Sequence, residues 1–577
     1  MWNRPALALL VVFMVTACAP ASLGTTATPT ASVGQQLDQT DRARQLLNRF
    51  TFGARPSDLA EVKKVGERAW LDRQLNPEQI ADRGADSVLD LLEITHKSGF
   101  ELAADHPQLN EFLANPARLL GTVNDTVRLK PDTTMSAMSQ LASMRSEVMQ
   151  TERTTERLTK LAQSRTAVVR ELAPSILIRA AKSDRQLLEV MTVFWENHFS
   201  VSAEKVVGQF TLVDYDHTIR AHALGKFRDL LGAVATSPAM LYYLDNYVSS
   251  VDSLHPTMME WKVEQRRLAH PPMGDTALVH AIKHRRTGIN ENYARELMEL
   301  HTLGVDGGYT TKDIQEVARC LTGWTVGNVL FGATFNFAEA QHDAGEKIVL
   351  GVRIPGGRGI EDGQQVLDIL AKHPSTAHFI AKKLVTHFVA DDPPPALVER
   401  VAQTYLRTDG DIREMLRTIA TSAEFNSPAA YRAKVKTPFE LVASVLRVMD
   451  AKPDTTQATI SLLTRLGQPI FGRTTPDGWP DQASAWMNSG ALINRVSLGQ
   501  RVGAGEIASV SPQRLVGALS GVPAEEQVDR VIGAVLDGVA SPETRHAMLS
   551  VGPARIPTQH VGQLVAIAVG SADFQRR

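Results

Sequence analysis

The residues best equipped for chemistry lie in INENYARELMELHTLGVDGGY, Ile289 to Tyr309, where two Asn, three Glu, one Arg and one His fall within about three helical turns. On a helix advancing about 100° per residue, Asn292, Arg295, Glu296 and Glu299 share one quadrant, with Tyr293, Leu297 and Leu300 on the adjoining face. Two bland and two chemical explanations compete. Glu291, Arg295 and Glu299 at i,i+4 spacing could form a solvated ladder. Alternatively, the next helix, TTKDIQEVARCLTGW, encloses the stripe, and hidden carboxylates need partners, as a scaffold or as an acid/base site. Glu296 and Glu299 could share a cation, but His301 points away from Glu299 while the helix continues, so no metal ligands are assigned. Glycoside hydrolysis needs carboxylates on both sides of the bond; two Glu on one helix face cannot flank it, so one partner must come from elsewhere.

A partner is sought in SDRQLLEVMTVFWENHFSVS. Leu187, Met191, Phe194 and Trp195 make an apolar face with His198 in its middle, while Glu189 and Glu196 point the other way. A buried imidazole requires a polar partner, so His198 is expected to hydrogen-bond Glu296 or Glu299, with the stripe facing inward. Asp245 and Asn246 close the helix opened by Ser237-Pro238 and either cap the next segment or line a pocket. His342-Asp343 falls in a loop, where it is either a turn or a lid bearing an acid/base His. Residues 250–288 form an irregular insertion with His255, His270, His280 and His284 that could cover the polar helix.

The elements that must position these residues are mostly helices. Hydrophobic residues make up 43% of the 577, aromatics only 6%, which favours a mainly α protein. A first helix is expected from Asp41, then a turn at Gly53 to Pro56 and a second helix capped by Ser57; Ser136 to Lys182 reads as one or two long helices. Only Trp324 to Ile354 alternates as strand, and a β-hairpin is predicted over about 326–354, with Val329–Phe337 paired to Lys347–Ile354. FGRTTPDGWPDQ, Phe471 to Gln482, is a loop.

The N-terminus carries a separate signal. Arg4 precedes an apolar run from Ala6 to Val15, too short to span a membrane as a mature helix, and Val15-Thr16-Ala17-Cys18 resembles a bacterial lipoprotein box. Residues 1–17 are therefore read as a lipoprotein signal peptide, Cys18 as the lipidated residue that attaches the chain to a membrane, residues 18–40 as a flexible tether and 41–577 as one large helical domain. Ala19 in place of Asp implies the outer membrane, facing periplasm or exterior. Lys plus Arg is 61 against 63 Asp plus Glu, so no net field recruits nucleic acid, which is not expected as a partner. The sequence lacks a Gly-Lys-Ser/Thr phosphate loop, a Gly-x-Ser-x-Gly elbow, a His-Glu-x-x-His pair and a Cys-x-x-Cys-His haem site, and no cofactor is assigned.

LLNRFTFGARPSDL, FWENHFSVS, IRAHALGKFRDLLGAVATSPAMLYYLDN, NENYARELMELHTLGVDGGYTTKDIQEVARCLTGW, HDAGEKIVLG, KTPFELVASVLR and PDGWPDQASAWM, in this order, resemble the bacterial domain of unknown function 1800 family. The resemblance implies a large exported protein, often encoded beside a sulfatase-like family that would be its partner, and supplies no reaction or catalytic residue. Two readings of function stay open. One is a hydrolytic enzyme acting on an envelope or extracellular polymer, with Glu296 or Glu299 as acid/base, His198 tuning its partner, and Arg295 and Asn292 beside them. The other is a non-catalytic assembly or binding protein of the envelope whose polar helix is scaffold.

Overall fold

Among the described residues the first helix is Gln39–Phe50, capped by Asp38, which accepts the Asp41 N–H at 2.8 Å. Leu37 is already buried, so the folded part reaches back a few residues before the expected start at Asp41. The computed structural model describes residues 36–577 apart from 56, 99–100, 102–167, 206–208, 270–287, 328–332, 453, 455, 508–509, 517–520 and 553–556. The expected signal peptide, Cys18, most of the tether, the larger part of Ser136–Lys182 and His270, His280 and His284 lie outside the described residues. Ser57 precedes the helix Asp58–Val65 but makes no capping bond. Asp58 takes the polar role instead, accepting the Arg55 N–H at 2.8 Å and the buried Arg447 guanidinium at 2.9 Å.

The protein is mainly α, as its composition implies. Antiparallel neighbours Pro374–Phe388 and Pro395–Arg407, and Ser489–Gly503 against Pro557–Gly570, pack face to face. In the second pair Gly499 and Gly503 let the backbones meet, since a Cβ on Gly503 would lie 2.1 Å from the Gly562 carbonyl oxygen. No described helix is long and apolar enough to cross a membrane.

One part of the core positions the site. Trp195, Phe199, Phe227, Leu230 and Leu384 are fully buried, each such side chain stabilising the fold by about 1.5–3 kcal/mol. Trp195 also donates Nε1–H to the Ala223 carbonyl at 2.9 Å. The opposite face of the same helix, Gln186–His198, is ionic. Arg220 bridges Glu189 at 2.5 Å and Asp216 at 3.1 Å, Arg179 lies 3.7 Å from Asp216, and the Glu196 carboxyl meets Asp216. Glu196 Oε1 and Asp216 Oδ2 are sealed without any ordinary donor, so a proton held by Glu196 and given to Asp216 is what satisfies both. Burial and then the Asp216 charge push the Glu196 carboxyl well above its ordinary range. Burial acts on Asp216 in the same sense, but Arg220 and Arg179 outweigh it and bring Asp216 down to about 2.

The strands fall in the predicted region with a different pairing. Trp324–Val326 (β1) pairs antiparallel with Phe335–Phe337 (β2), and Lys347–Val349 (β3) pairs with Val352–Ile354 (β4), as two separate two-stranded sheets. KIVLGVRI is therefore a hairpin in itself rather than one strand. Leu350 and Gly351 both have positive φ, 46° and 78°, which is the two-residue turn that matches strand twist.

Candidate functional site

The helix that carries the polar stripe is Glu291–Glu299. Asn290 caps it, accepting the Tyr293 N–H at 3.1 Å while its amide donates to the Leu244 carbonyl at 2.7 Å. Tyr293, Ala294, Leu297 and Met298 form the buried face, and the Tyr293 hydroxyl donates to the Ala235 carbonyl at 2.7 Å. That face fixes the rotation of the helix and leaves the stripe at its edge. Asn292 is exposed and Arg295, Glu296 and Glu299 are half-buried, so the stripe does not face inward as the sequence predicts. The carboxylates remain within reach of solvent.

The helix ends in a widened turn. His301 donates to the Glu296 carbonyl at 3.0 Å and Leu303 to Met298 at 2.8 Å, both five residues back. His301 is carried into the interior, 5.2 Å from the Phe199 ring, and does not join the two Glu. The freed His301 carbonyl is what His198 uses: its Nε2 lies 3.1 Å from that oxygen. The expected His198 bond to Glu296 or Glu299 is thus replaced by one to backbone, because a carbonyl left over at a helix end is a closer acceptor for a core imidazole than a carboxylate at the rim. With Nε2–H donating, His198 Nδ1 is a bare acceptor, sealed without a partner, as is His301 Nε2. Burial, and next the Lys383 charge, push both rings towards neutrality, His301 down to about 3.

A second element faces the stripe. The loop Phe471 to Gln482 is held by Asn197, whose amide donates to the Trp479 carbonyl at 2.8 Å and whose Oδ1 accepts the Trp479 N–H at 2.6 Å. Gly478 makes this approach possible, with φ at +74° and its α-carbon so placed that a Cβ would sit 2.2 Å from the Asn197 carbonyl oxygen. The loop brings in Asp477, exposed, gripped by Arg473 at 2.6 and 3.0 Å and by the Thr475 hydroxyl at 2.5 Å. These bonds hold the Asp477 carboxyl below its usual range, the Arg473 pair contributing most. Glu296 goes the other way. Its own burial, then repulsion from Glu299 and Asp477, raise it above the ordinary Glu value against the pull of Arg295 and Lys205. Around the pair, Tyr309 hydrogen-bonds Glu299, the Tyr243 hydroxyl donates to the Thr474 carbonyl at 3.0 Å, and the Lys205 ammonium lies 5.3 Å from the Tyr243 ring centre. Burial, with Asp477 and Glu296 adding to it, pushes Tyr243 up to about 12.

The same loop continues to Asp481, which accepts from His387 at 2.6 Å and Lys434 at 3.2 Å. Lys383, half-buried on Pro374–Phe388, feels the charges of Asp481 and Asp477. Neither Asp477 nor Lys383 is singled out by spacing in the sequence. The signal that could have found Asp477 is the run of Gly, Pro and Asp in PDGWPDQ, a rigid loop rich in acids.

The remaining candidates are structural. His342 and Asp343 are both completely buried, which ends the lid reading. Asp343 is held by Arg319 at 2.7 and 3.2 Å, His342 reaches the Thr322 carbonyl at 2.8 Å and Asp362 at 3.3 Å, and the buried Lys347 ammonium lies 2.6 Å from Asp362. Two cations drawn from neighbouring elements pull these side chains inward, and the loop closes over them. Asn246 is buried and donates to the Leu321 and Trp324 carbonyls at 3.2 and 3.0 Å, fastening the start of β1. Asp245 is exposed in a left-handed turn at φ 60°, a conformation Asp tolerates, and lines no described pocket with the stripe.

No curated protein and no solved structure matches the chain. A family model does, the one described as Protein of unknown function (DUF1800), over residues 45–576, so the chain belongs to that family.

Proposed function

We propose that the protein is an envelope-anchored lipoprotein that hydrolyses an envelope or extracellular polymer by acid/base chemistry, with Glu296 as proton donor and Asp477 as the ionised carboxylate. The observation that carries the reading is the opposed environment of these two acids, one on the helix and one on the facing loop. Glu296 is half-buried beside Glu299 and keeps its proton to higher pH, while Asp477 is held ionised by Arg473 and Thr475. Two carboxyls driven apart in this way divide the roles of acid and base. Hydrolysis then consumes one water: Glu296 gives its proton to the leaving oxygen, and Asp477 takes one from the water that adds. Asp477 supplies the partner from elsewhere in the chain that the helix alone lacks. Glu299, bonded to Tyr309, and Arg295 tune Glu296, whereas His198 supports the floor rather than the reaction. Lipidation of Cys18, outer-membrane residence and a sulfatase-like partner belong to the same proposal.

The test is a screen of glycan and ester polymers with the full-length protein in detergent, repeated with Glu296→Gln and Asp477→Asn. Loss of an activity by about 10²–10⁴-fold in both variants, with unchanged melting curves, supports the roles. An activity that both variants retain removes them.

A further inference from the structure

Helix Pro374–Phe388 carries two successive lysines in unlike surroundings. Lys382 is exposed, whereas Lys383 is half-buried with its ammonium 5.6 Å from the Phe379 ring centre. Among the described residues no carboxylate or carbonyl accepts a hydrogen bond from Lys383. The groups that share its electrostatic field come from three other elements: Asp481 and Asp477 from the loop, His198 from Gln186–His198, and His301 from the turn after Glu299. Both carboxylates are already engaged, Asp477 by Arg473 at 2.6 Å and Asp481 by His387 at 2.6 Å and Lys434 at 3.2 Å. Both imidazoles are neutral. His198 Nδ1 and His301 Nε2 are sealed from solvent, but the Lys383 nitrogen is not among the sealed atoms. Lys383 is thus an amine partly stripped of water, lacking a counter-ion, and open to approach.

We propose that Lys383 is a carbonyl-capturing amine, which takes a ligand bearing an aldehyde or ketone. Burial outweighs Asp481 and Asp477 and brings the amine down to about 8, so a usable fraction is neutral at physiological pH. The neutral nitrogen adds to the carbonyl carbon, the C=O π bond opens, and one nitrogen proton moves to the oxygen to give a carbinolamine. The hydroxyl then leaves as water with the second nitrogen proton as the C=N bond of the imine forms. Hydrolysis reverses the steps, and nothing is oxidised or reduced. The proposal stands on the surroundings of Lys383 and does not require Glu296 to be catalytic.

The experiment is reductive trapping on the full-length protein. Pyridoxal 5′-phosphate and, in parallel, the smaller glyoxylate are added at pH 7, the imine is reduced with borohydride, and adducts are mapped by peptide mass spectrometry. Lys382 is the internal control. Lowering the Lys383 amine from 10.5 to about 8 raises its neutral fraction at pH 7 by roughly 300-fold. Lys383 is expected to outlabel Lys382 by at least about tenfold with one or both probes, with labelling that rises to a midpoint near pH 8 and disappears in Lys383→Met. Equal labelling of Lys382 and Lys383, or no Lys383 adduct with either probe, overturns the proposal.

Discussion

Replacing Glu196 by Gln probes the proton that the buried carboxyl pair shares. Glu196 faces Asp216 on Thr211–His222, with Arg220 from that helix, Arg179, Glu189 and Tyr215 around them. In the folded protein Glu196 keeps a proton that the unfolded chain releases above its ordinary value of 4.5. Its contribution to stability is therefore complete below pH 4.5 and is lost as pH rises towards the elevated folded value, at about 1.4 kcal/mol per unit. Asp216 behaves oppositely. Its descent from 3.8 to about 2 corresponds to about 2 kcal/mol that is present above pH 3.8 and lost as pH falls to 2. A Gln amide at position 196 donates to Asp216 at every pH. Urea unfolding between pH 4.5 and 8 should thus show the variant gaining on the wild type as pH rises, while the acid-side loss from Asp216 remains. Parallel stability curves across that range would refute a proton held at Glu196. Because Asn197 and His198 come directly after Glu196 on the same helix, the loosening at high pH starts next to the site.

Gly478→Ala should cost roughly 1–3 kcal/mol in thermal or urea unfolding, since it strains a backbone at φ +74° and drives a Cβ into the Asn197 carbonyl, which is 2.2 Å from where that Cβ would lie. The loop and Asp477 should shift with it, so any hydrolytic activity should fall as well; wild-type stability and activity would show that the Asn197 clamp is dispensable. Cys18→Ser should move the protein from the membrane to the soluble periplasmic fraction without altering its melting curve. Wild-type chain in the soluble fraction would remove the lipid anchor.

The parts legible in the sequence are those set by local pattern. The family segments, the mainly helical class and the helix that carries the polar stripe come from residue types at short spacing. The helical wheel places Tyr293 and Leu297 correctly on the buried side, but whether the adjoining stripe is sealed or lies at the rim depends on the elements packed beside it. The partner of His198 is out of reach for a different reason: it is a backbone carbonyl, exposed by a turn that widens only in the folded chain. His342 and Asp343 read as a loop because their neighbours in sequence are small and polar, while Arg319 and Asp362, which bury them, are some twenty residues away on either side. The strand register fails where alternation hides a turn, although Leu350-Gly351 carries the clue in its glycine. Lys383 gives no sign at all, since an amphipathic helix with adjacent lysines looks the same whether one of them is solvated or not.

Central to the proposed chemistry is that Glu296 holds its proton because burial, then the charges of Glu299 and Asp477, raise it. Carbon-13 NMR of the protein labelled at the Glu side-chain carboxyl, with Glu296→Gln to assign the resonance, measures that directly in the wild type and in Asp477→Asn. Glu296 is expected to titrate above 4.5 in the wild type and to move down when the Asp477 charge is removed. Titration of Glu296 at or below 4.5, unmoved by Asp477→Asn, would contradict its role as the proton donor.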